Sequence, residues 1–401
     1  MPTGSEPAVG PRVALRNGRL VFNGRELTPF GGELQYFRVR DPQGDGGRTH
    51  ELWRETLERM AKAGMNFLST YVPWDWHAPD STRHDWGGDR DLGAFLEMAH
   101  ALKFVVCLKP GPYITAEWPE GFRTFGAVPA WFKERHPETL VRRPGGALWS
   151  FDPLGRRDQV QPRYDAPAFI DAVRQWFAAL APVIRPFLHA RPCVAMIQLD
   201  NETNLWWSDL AHVDLPGDYA GRLRHCVNYL AVLRDIWRDL DIDEPDVLFT
   251  ANDSPFAIPL RHNLLQDAGL KSAVALPTLD VYPRGIPLRD IPADQPWQGA
   301  FFTRLLERHA PERFAFGAEI QGMDLKLAFG ATATARPEAT GQLLTSMIGS
   351  GLKGGALYVM REGLNADGTL YGPAACFAIH GDATARWDVA SRFARWMRED
   401  G

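Results

Sequence analysis

Short apolar runs that read as buried strands recur along this chain, each followed by a stretch with helical spacing, and this alternation constrains the fold more than any other feature. The strand-like runs are Leu27–Tyr36, Asn66–Trp74, Phe104–Gly111, Val194–Glu202, Asp246–Asn252, Ala273–Tyr282, Arg313–Gln321 and Gly354–Met360, eight in all. Between the first two, Leu52, Trp53, Thr56, Leu57, Met60 and Ala61 repeat at helical spacing and stop at Gly64, a residue suited to the position just past a helix end. Leu92, Phe95, Leu96, Ala99 and Leu102 form the next such stripe. Before the fourth strand, Pro167 suits a first helical turn and Ile170, Val173, Trp176, Phe177 and Leu180 make the apolar face. A last helical stretch covers Ala383–Arg398. Parallel strands need a crossover after each strand, so eight βα units predict an α/β fold of the TIM (β/α)8 barrel type, with a doubly wound open sheet as the alternative.

Two acidic residues close such runs: Glu202, after Ile197-Gln198-Leu199-Asp200-Asn201, and Glu319, within Phe316-Gly317-Ala318-Glu319-Ile320. In the strand count they end the fourth and seventh strands, on the C-terminal rim where barrel enzymes keep their sites. A carboxylate there is desolvated on one side and reachable from the other. Two of them suit hydrolysis of a glycoside with retention, in which one acts as nucleophile and the other as acid and then base, held about 5 Å apart. Asp-Asn-Glu after a strand is also an ordinary helix N-cap, but capping does not account for Trp206 and Trp207 close behind, nor for an Asn201 amide placed to meet a sugar hydroxyl.

Composition excludes several other functions. The chain has 401 residues, 45% of them apolar, enough for a large core and for one domain over 1–401, with 1–26 read as a polar, Gly-rich lead-in. A net charge of −5 without basic clustering argues against nucleic acid as a partner. Neither a signal peptide nor a run of about 18 apolar residues is visible, so a cytoplasmic protein without membrane contact is expected, with a carbohydrate as partner and its oligomeric state open. Cys107, Cys193, Cys226 and Cys376 are widely spaced and imply no disulfide. There is no CxxC pair, HExxH helix or GxSxG elbow, and Gly44-Asp45-Gly46-Gly47 lacks the context of a phosphate loop; no metal and no cofactor are expected.

Two further rim segments are dense in aromatic and polar groups of the kind that recognise sugars, Tyr71–His77 and Lys109–Trp118. For Trp74, Trp76 and Trp118, stacking on a sugar competes with anchoring the loop in the core. Glu117, between Ala116 and Trp118, suits two adjacent hydroxyls, the alternative being a salt bridge to Arg123.

These residues carry a family resemblance. Gly111-Pro112-Tyr113-Ile114-Thr115-Ala116-Glu117-Trp118 followed by Pro129-Ala130-Trp131-Phe132 resembles the GPYICAEW…LPAWL signature of glycoside hydrolase family 35, the β-galactosidases. Gly32–Arg38 resembles that family's G-x-x-HYxR segment, and Trp53, Gly64-Met65-Asn66 and Tyr71–His77 resemble its next segment. Ile197–Glu202 resembles the family's Q-x-ENEYG strand. The resemblance implies a clan A retaining glycosidase with Glu202 as acid/base, Glu319 as nucleophile, and Tyr36, Glu117 and Asn201 holding the terminal sugar; Trp74 and Trp118 join them as candidate sugar contacts. Tyr282, after the sixth strand, is added as a phenol that orients the nucleophile, a packing role being the alternative. The implied activity is release of terminal non-reducing β-D-galactose by double displacement; another β-glycosidase specificity (glucosaminide, glucoside, arabinoside) or a degenerate sugar-binding barrel is the alternative.

The sequence also departs from the pattern. Asp200 and Thr203 flank the acid/base in place of Glu and Tyr, Ala78 follows the histidine in place of Glu, Gln35 precedes the tyrosine in place of His, and Gln321 follows the nucleophile where an aromatic is usual. Residues Gly121–Val128 insert before Pro129, and Val359–Asn365 keeps little of the family's GGTNFG segment. The C-terminal β-sandwich domains common in the family are not expected in this chain. Sugar specificity is where these departures bear.

Overall fold

A computed structural model of the chain describes residues 11–41, 43, 45–114, 125–149, 160–204, 218–253, 264–283, 297–326, 332–333, 335–365 and 368–399. Its centre is a closed barrel of eight parallel strands. The strands are β1 (Phe30–Glu33), β2 (Phe67–Tyr71), β3 (Val105–Lys109), β4 (Val194–Gln198), β5 (Leu248–Asp253), β6 (Leu276–Val281), β7 (Ala315–Gln321) and β8 (Leu352–Tyr358). They neighbour one another in chain order, and β8 closes on β1 through Gly355 to Phe30 and Leu357 to Gly32, so no edge is left. Each strand is followed by a helix: α1 (Gly46–Lys62), α2 (Leu92–Ala101), α3 (Pro167–Ile184), α4 (Tyr219–Asp239), the single turn α5 (Leu270–Ala273), α6 (Trp297–His309), α7 (Pro337–Gly349) and α8 (Ala385–Glu399). The TIM barrel expected from the alternation is the fold, and each of the eight strand-like runs overlaps one barrel strand, β5 running on to Asp253 and β8 starting earlier, at Leu352.

Local chemistry fixes the helix ends. Asp45 caps α1 by accepting from the backbone N–H groups of Gly47 and Arg48, and Arg59 and Lys62 occupy the last turn, where cations complement the helix dipole. The helix stops at Ala63, and Gly64 takes φ 95°, a left-handed conformation open to a residue without Cβ. Leu52, Trp53, Thr56, Leu57 and Met60 face the barrel as the spacing predicts.

The lead-in is more ordered than its composition suggests. Val13–Arg16, Arg19–Phe22 and Arg25–Leu27 form an antiparallel three-stranded sheet, joined by Asn17-Gly18 and Asn23-Gly24. All four of these residues have positive φ (52°, 71°, 49° and 73°), the signature of the tight hairpin turn whose twist matches its strands. The sheet buries Val13, Leu20 and Phe22 against Phe67, Val105, Met196, Leu248, Leu276, Phe314 and Phe316, most of which lie at or near the starts of their strands. It therefore plugs the N-terminal mouth of the barrel, and each such apolar side chain contributes on the order of 2 kcal/mol. The Val13 N–H donates to the Pro245 carbonyl, and the Arg12 guanidinium donates to Val194 O, tying plug to barrel.

At the other end, aromatic rings pack between the barrel and its first helices. Tyr36 meets Phe37 and Trp53 edge-on and tilts against Phe95, while His77 stacks on Trp86 at 4.3 Å. His77 Nδ1 lies 2.8 Å from the Asp85 carbonyl, which only an N–H can satisfy, so Nε2 accepts from the Tyr36 hydroxyl at 2.5 Å. Burial holds this imidazole neutral, with its pKa lowered to about 3.

Two predictions follow from this packing. A Cβ built on Gly31 falls 1.9 Å from the Phe67 carbonyl oxygen, across the β1–β2 seam. Gly31→Ala is therefore expected to destabilise the fold by about 3 kcal/mol or more, as overpacking against backbone does; urea unfolding monitored by tryptophan fluorescence checks it. For His77, the native ring stays neutral until the pH approaches 3, whereas the unfolded ring takes a proton near 6.5, so stability is full above 6.5 and is lost as pH falls through that window. The slope of stability with pH between these values should be steeper in wild type than in His77→Gln by up to ~1.4 kcal/mol per pH unit. Equal slopes would sink this assignment.

Candidate active site

Every barrel strand delivers a polar side chain at or near its C-terminal end: Glu33 from β1, Tyr71 from β2, Lys109 from β3, Gln198 from β4, Asn252 from β5, Asp280 from β6, Glu319 from β7 and Tyr358 from β8. All are buried. Strands so short alternate between the packed outside and the barrel interior, and the interior at this end is narrow enough for these groups to meet.

Glu319 accepts three hydrogen bonds from charged or phenolic donors. Its Oε1 accepts from Lys109 Nζ at 2.7 Å and from the Tyr71 hydroxyl at 2.5 Å, and its Oε2 accepts from the Tyr282 hydroxyl at 2.5 Å. Tyr71 also lies 2.7 Å from Asn201 Oδ1, but that oxygen already takes two amide donors, Gln198 Nε2 at 3.0 Å and Asn252 Nδ2 at 2.7 Å. A carbonyl oxygen has two lone pairs, so the single phenol proton goes to the carboxylate, the closer and charged partner. The three contacts on Oδ1 fix the Asn201 amide with its nitrogen turned away from them.

Lys109 bridges two acids. Its Nζ lies 2.7 Å from Glu33 Oε2 as well as 2.7 Å from Glu319 Oε1, with the three side chains at most 5% exposed. Burial alone pulls the ammonium pKa down, but Glu319, Glu33 and Asp280 outweigh it and the net shift is upward, so Lys109 stays charged. Burial pushes the Glu33 carboxyl up, against the pull of Lys109. Ser69 Oγ at 3.1 Å and Gln35 Nε2 at 2.7 Å hold its oxygens, and Gln35 Oε1 in turn accepts from Arg38 at 2.5 Å. Asp280, paired in register with Glu319, is also raised, by burial first and then by the charges of Glu319 and Glu202. It accepts from Asn252 Nδ2 at 2.6 Å. The phenols of Tyr71 and Tyr282 are raised by burial and by Glu319, and both remain donors.

Glu202 lies four residues beyond β4 rather than at its end, in a strained turn. Asp200 and Glu202 have φ of 60° and 44°, each costing about 1–3 kcal/mol for a residue with a Cβ. The turn is held by Asp200 N–H to the Gly111 carbonyl (3.0 Å), Tyr113 N–H to Asp200 Oδ1 (2.8 Å) and Glu202 N–H to Asn252 Oδ1 (3.0 Å). Asn252 thus grips Asn201 and Glu202 from one side and Asp280 from the other.

Of the residues singled out in the sequence, Asn201, Glu202, Tyr282 and Glu319 come together here. Tyr36 is placed elsewhere: fully buried, with its hydroxyl on His77 and its ring among Phe37, Trp53 and Phe95, because the chain turns directly after β1 and sends the side chain outward toward α1. Trp74 is also a core residue, 2% exposed, stacked on Trp176 and edge-on to Trp131. Glu117 and Trp118 lie outside the described residues. Glu33, Tyr71, Lys109, Asn252 and Asp280 were missed as site residues; the available signal was a charged or amide group inside each apolar run, at an inward strand position. Among the described residues no group of three or more metal-ligating side chains occurs, and no helix is long and apolar enough to cross a membrane.

Comparison with known proteins follows the same lines. Residues 19–150 match the model of glycosyl hydrolases family 35. An exo-β-D-glucosaminidase of Thermococcus kodakarensis is 35% identical over 202 residues, covering 49% of this chain and 23% of that protein. A β-galactosidase of Mus musculus is 30% identical over 186 residues, covering 46% and 23%. The chain thus spans about a quarter of the length of the curated relatives it matches. Among solved structures, a β-galactosidase from the haloarchaeon Halorubrum lacusprofundi superimposes over 92% of this chain and 58% of its own, with a TM-score of 0.63 at 15% identity, a likeness of fold. Over its first third the chain is similar to glycosyl hydrolases family 35, the relatives extend that similarity to about half of the chain, and the barrel is the fold it shares with a solved β-galactosidase.

Proposed function

We propose that the protein is a retaining exo-β-glycosidase that releases terminal non-reducing β-galactose, with Glu319 as nucleophile and Glu202 as acid/base. The observation that carries this reading is the Glu319 carboxylate, gripped by one ammonium and two phenols at the C-terminal end of the barrel, with Tyr71 lying 2.7 Å from the Asn201 amide oxygen, which Asn252 holds together with the Glu202 turn.

A charged carboxylate surrounded by donors is oriented and kept available to attack. In the first step a Glu319 oxygen bonds to the anomeric carbon, the bond from that carbon to the leaving oxygen breaks with its electron pair, and Glu202 gives its proton to that oxygen. Glu202, now a base, takes a proton from water, which attacks the anomeric carbon and frees Glu319. The chemistry needs no cofactor and no metal. Asn201, next to Glu202 in the chain and held through its amide oxygen, is suited to a hydroxyl next to the cleaved bond.

A second reading, an exo-β-glucosaminidase, is supported by two archaeal relatives of that name, at 35% and 32% identity, and by the excess of buried acid around the site, which suits an amino sugar. A barrel that binds sugar without cleaving it is the non-enzymatic alternative.

A panel of nitrophenyl β-glycosides at one neutral pH distinguishes these. The galactoside should be the best substrate, Glu319→Gln should abolish turnover, and preference for the glucosaminide would move the assignment to the second reading. Glu202→Ala should slow hydrolysis by about 10²–10⁴-fold, with azide restoring turnover and yielding a β-glycosyl azide. An α-azide product would contradict retention by this pair. Tyr282→Phe should lower kcat by roughly 10²-fold with KM little changed, as loss of a donor to a reacting carboxylate does.

A further inference from the structure

We propose that Lys109 and Glu33 form a positioning couple for Glu319, in which the ammonium orients and ionises the nucleophile while the Glu33 carboxylate takes a share of its charge and remains its counter-ion when Glu319 is esterified. The inference rests on the hydrolase reading above, since a carboxylate that changes charge during turnover is what such a couple serves.

The geometry is symmetrical. Lys109 Nζ donates at 2.7 Å to each carboxylate, and its remaining side faces the Tyr71 ring, whose centroid is 4.6 Å away. Glu33 has no exposure and is fixed by Ser69 and Gln35, so it cannot swing out to water. In the resting site one buried cation thus has two anions. When Glu319 bonds to the anomeric carbon and the leaving oxygen departs with its electron pair and the Glu202 proton, Glu319 becomes a neutral ester. Without Glu33 the ammonium would then lose its counter-ion in a buried site, the arrangement that protein interiors avoid. With Glu33 a salt bridge survives both halves of the cycle. In the free enzyme Glu33 also restrains the ammonium from stabilising the Glu319 anion so strongly that attack is slowed. Among the described residues, the titratable groups that act on Glu319 are Glu33 (β1), Tyr71 (β2), Lys109 (β3), and Asp280 and Tyr282 (β6 and just beyond), while Glu202 (after β4) acts on Asp280 and Tyr358 (β8) on Tyr71 and Tyr282.

The test is the titration of the Glu319 carboxyl carbon by 13C NMR, assigned by its loss in Glu319→Gln, alongside the pH profile of aryl glycoside hydrolysis. In Glu33→Gln the Glu319 midpoint and the acid limb should move down by about one pH unit, and in Lys109→Met they should move up by about one unit or more. The double variant should return near wild type, Lys109→Arg should hold the wild-type midpoint, and Glu33→Gln should lower kcat roughly tenfold with KM little changed. A side chain that only supports the fold would not shift the two single variants in opposite directions. If Lys109→Met does not fold, Glu33→Gln, Lys109→Arg and the double variant still decide. Unshifted midpoints, or shifts in the same direction, in a protein that hydrolyses glycosides would overturn the couple and leave the hydrolase reading intact. Opposite shifts in a protein that hydrolyses no glycoside would uphold the couple and defeat that reading.

Discussion

Closure of eight parallel strands is the constraint on which the rest of this molecule depends. A closed sheet has no edge to protect, but it commits alternate residues of every strand to one narrow interior. That interior is divided along its axis. Near the strand starts it is apolar and sealed by Val13, Leu20 and Phe22 of the amino-terminal sheet; at the strand ends it holds Glu33, Lys109, Asn252, Asp280 and Glu319. The apolar half excludes water, and the polar half ties its groups into a shared hydrogen-bond network.

The polar half is organised by charge. Several acids surround one ammonium, and the site sorts them by environment. Glu319 receives the ammonium and two phenols, Glu33 shares the ammonium, and Asp280 receives an amide and has its carboxyl pushed up by burial and by its acidic neighbours. Burial pushes the Glu33 and Asp280 carboxyls up, and the Lys109 ammonium pulls against that rise at both. The backbone contributes as well: the left-handed conformations at Asp200 and Glu202 are held by hydrogen bonds from neighbouring strands and loops, so the turn that aims Glu202 is dictated by tertiary context and not by its own residues.

The fold was legible because both of its periods are long and clean; each barrel strand overlaps an apolar run visible in the sequence, and Gly64 follows α1 where the helical stripe stops. Glu202 and Glu319, the pair proposed to react, stood out because each interrupts an apolar run with an acid. Lys109 and Glu33 were not, since their meaning is spatial: the ammonium reaches one partner 76 residues away and another 210 residues away. Tyr36 sits in a motif that reads as sugar binding, yet one turn of backbone after β1 sends the ring to the far side of the strand, where its hydroxyl donates to His77. The amino-terminal sheet was hidden by composition, although both Asn-Gly pairs that make its turns were in view.

That sheet also bears on how the chain assembles. It precedes the barrel in the chain, yet its anchoring bonds reach far along it, Arg12 to Val194 across 182 residues and Val13 to Pro245 across more than 230. Contacts of such separation carry a large loop-closure cost and form late. The hairpins therefore wait, their apolar face uncovered, until more than half of the barrel exists to receive them. Seating the plug is a late, long-range step that couples the two ends of assembly, and until it occurs the open mouth and the waiting strands are complementary surfaces on every nascent copy, open to exchange between molecules.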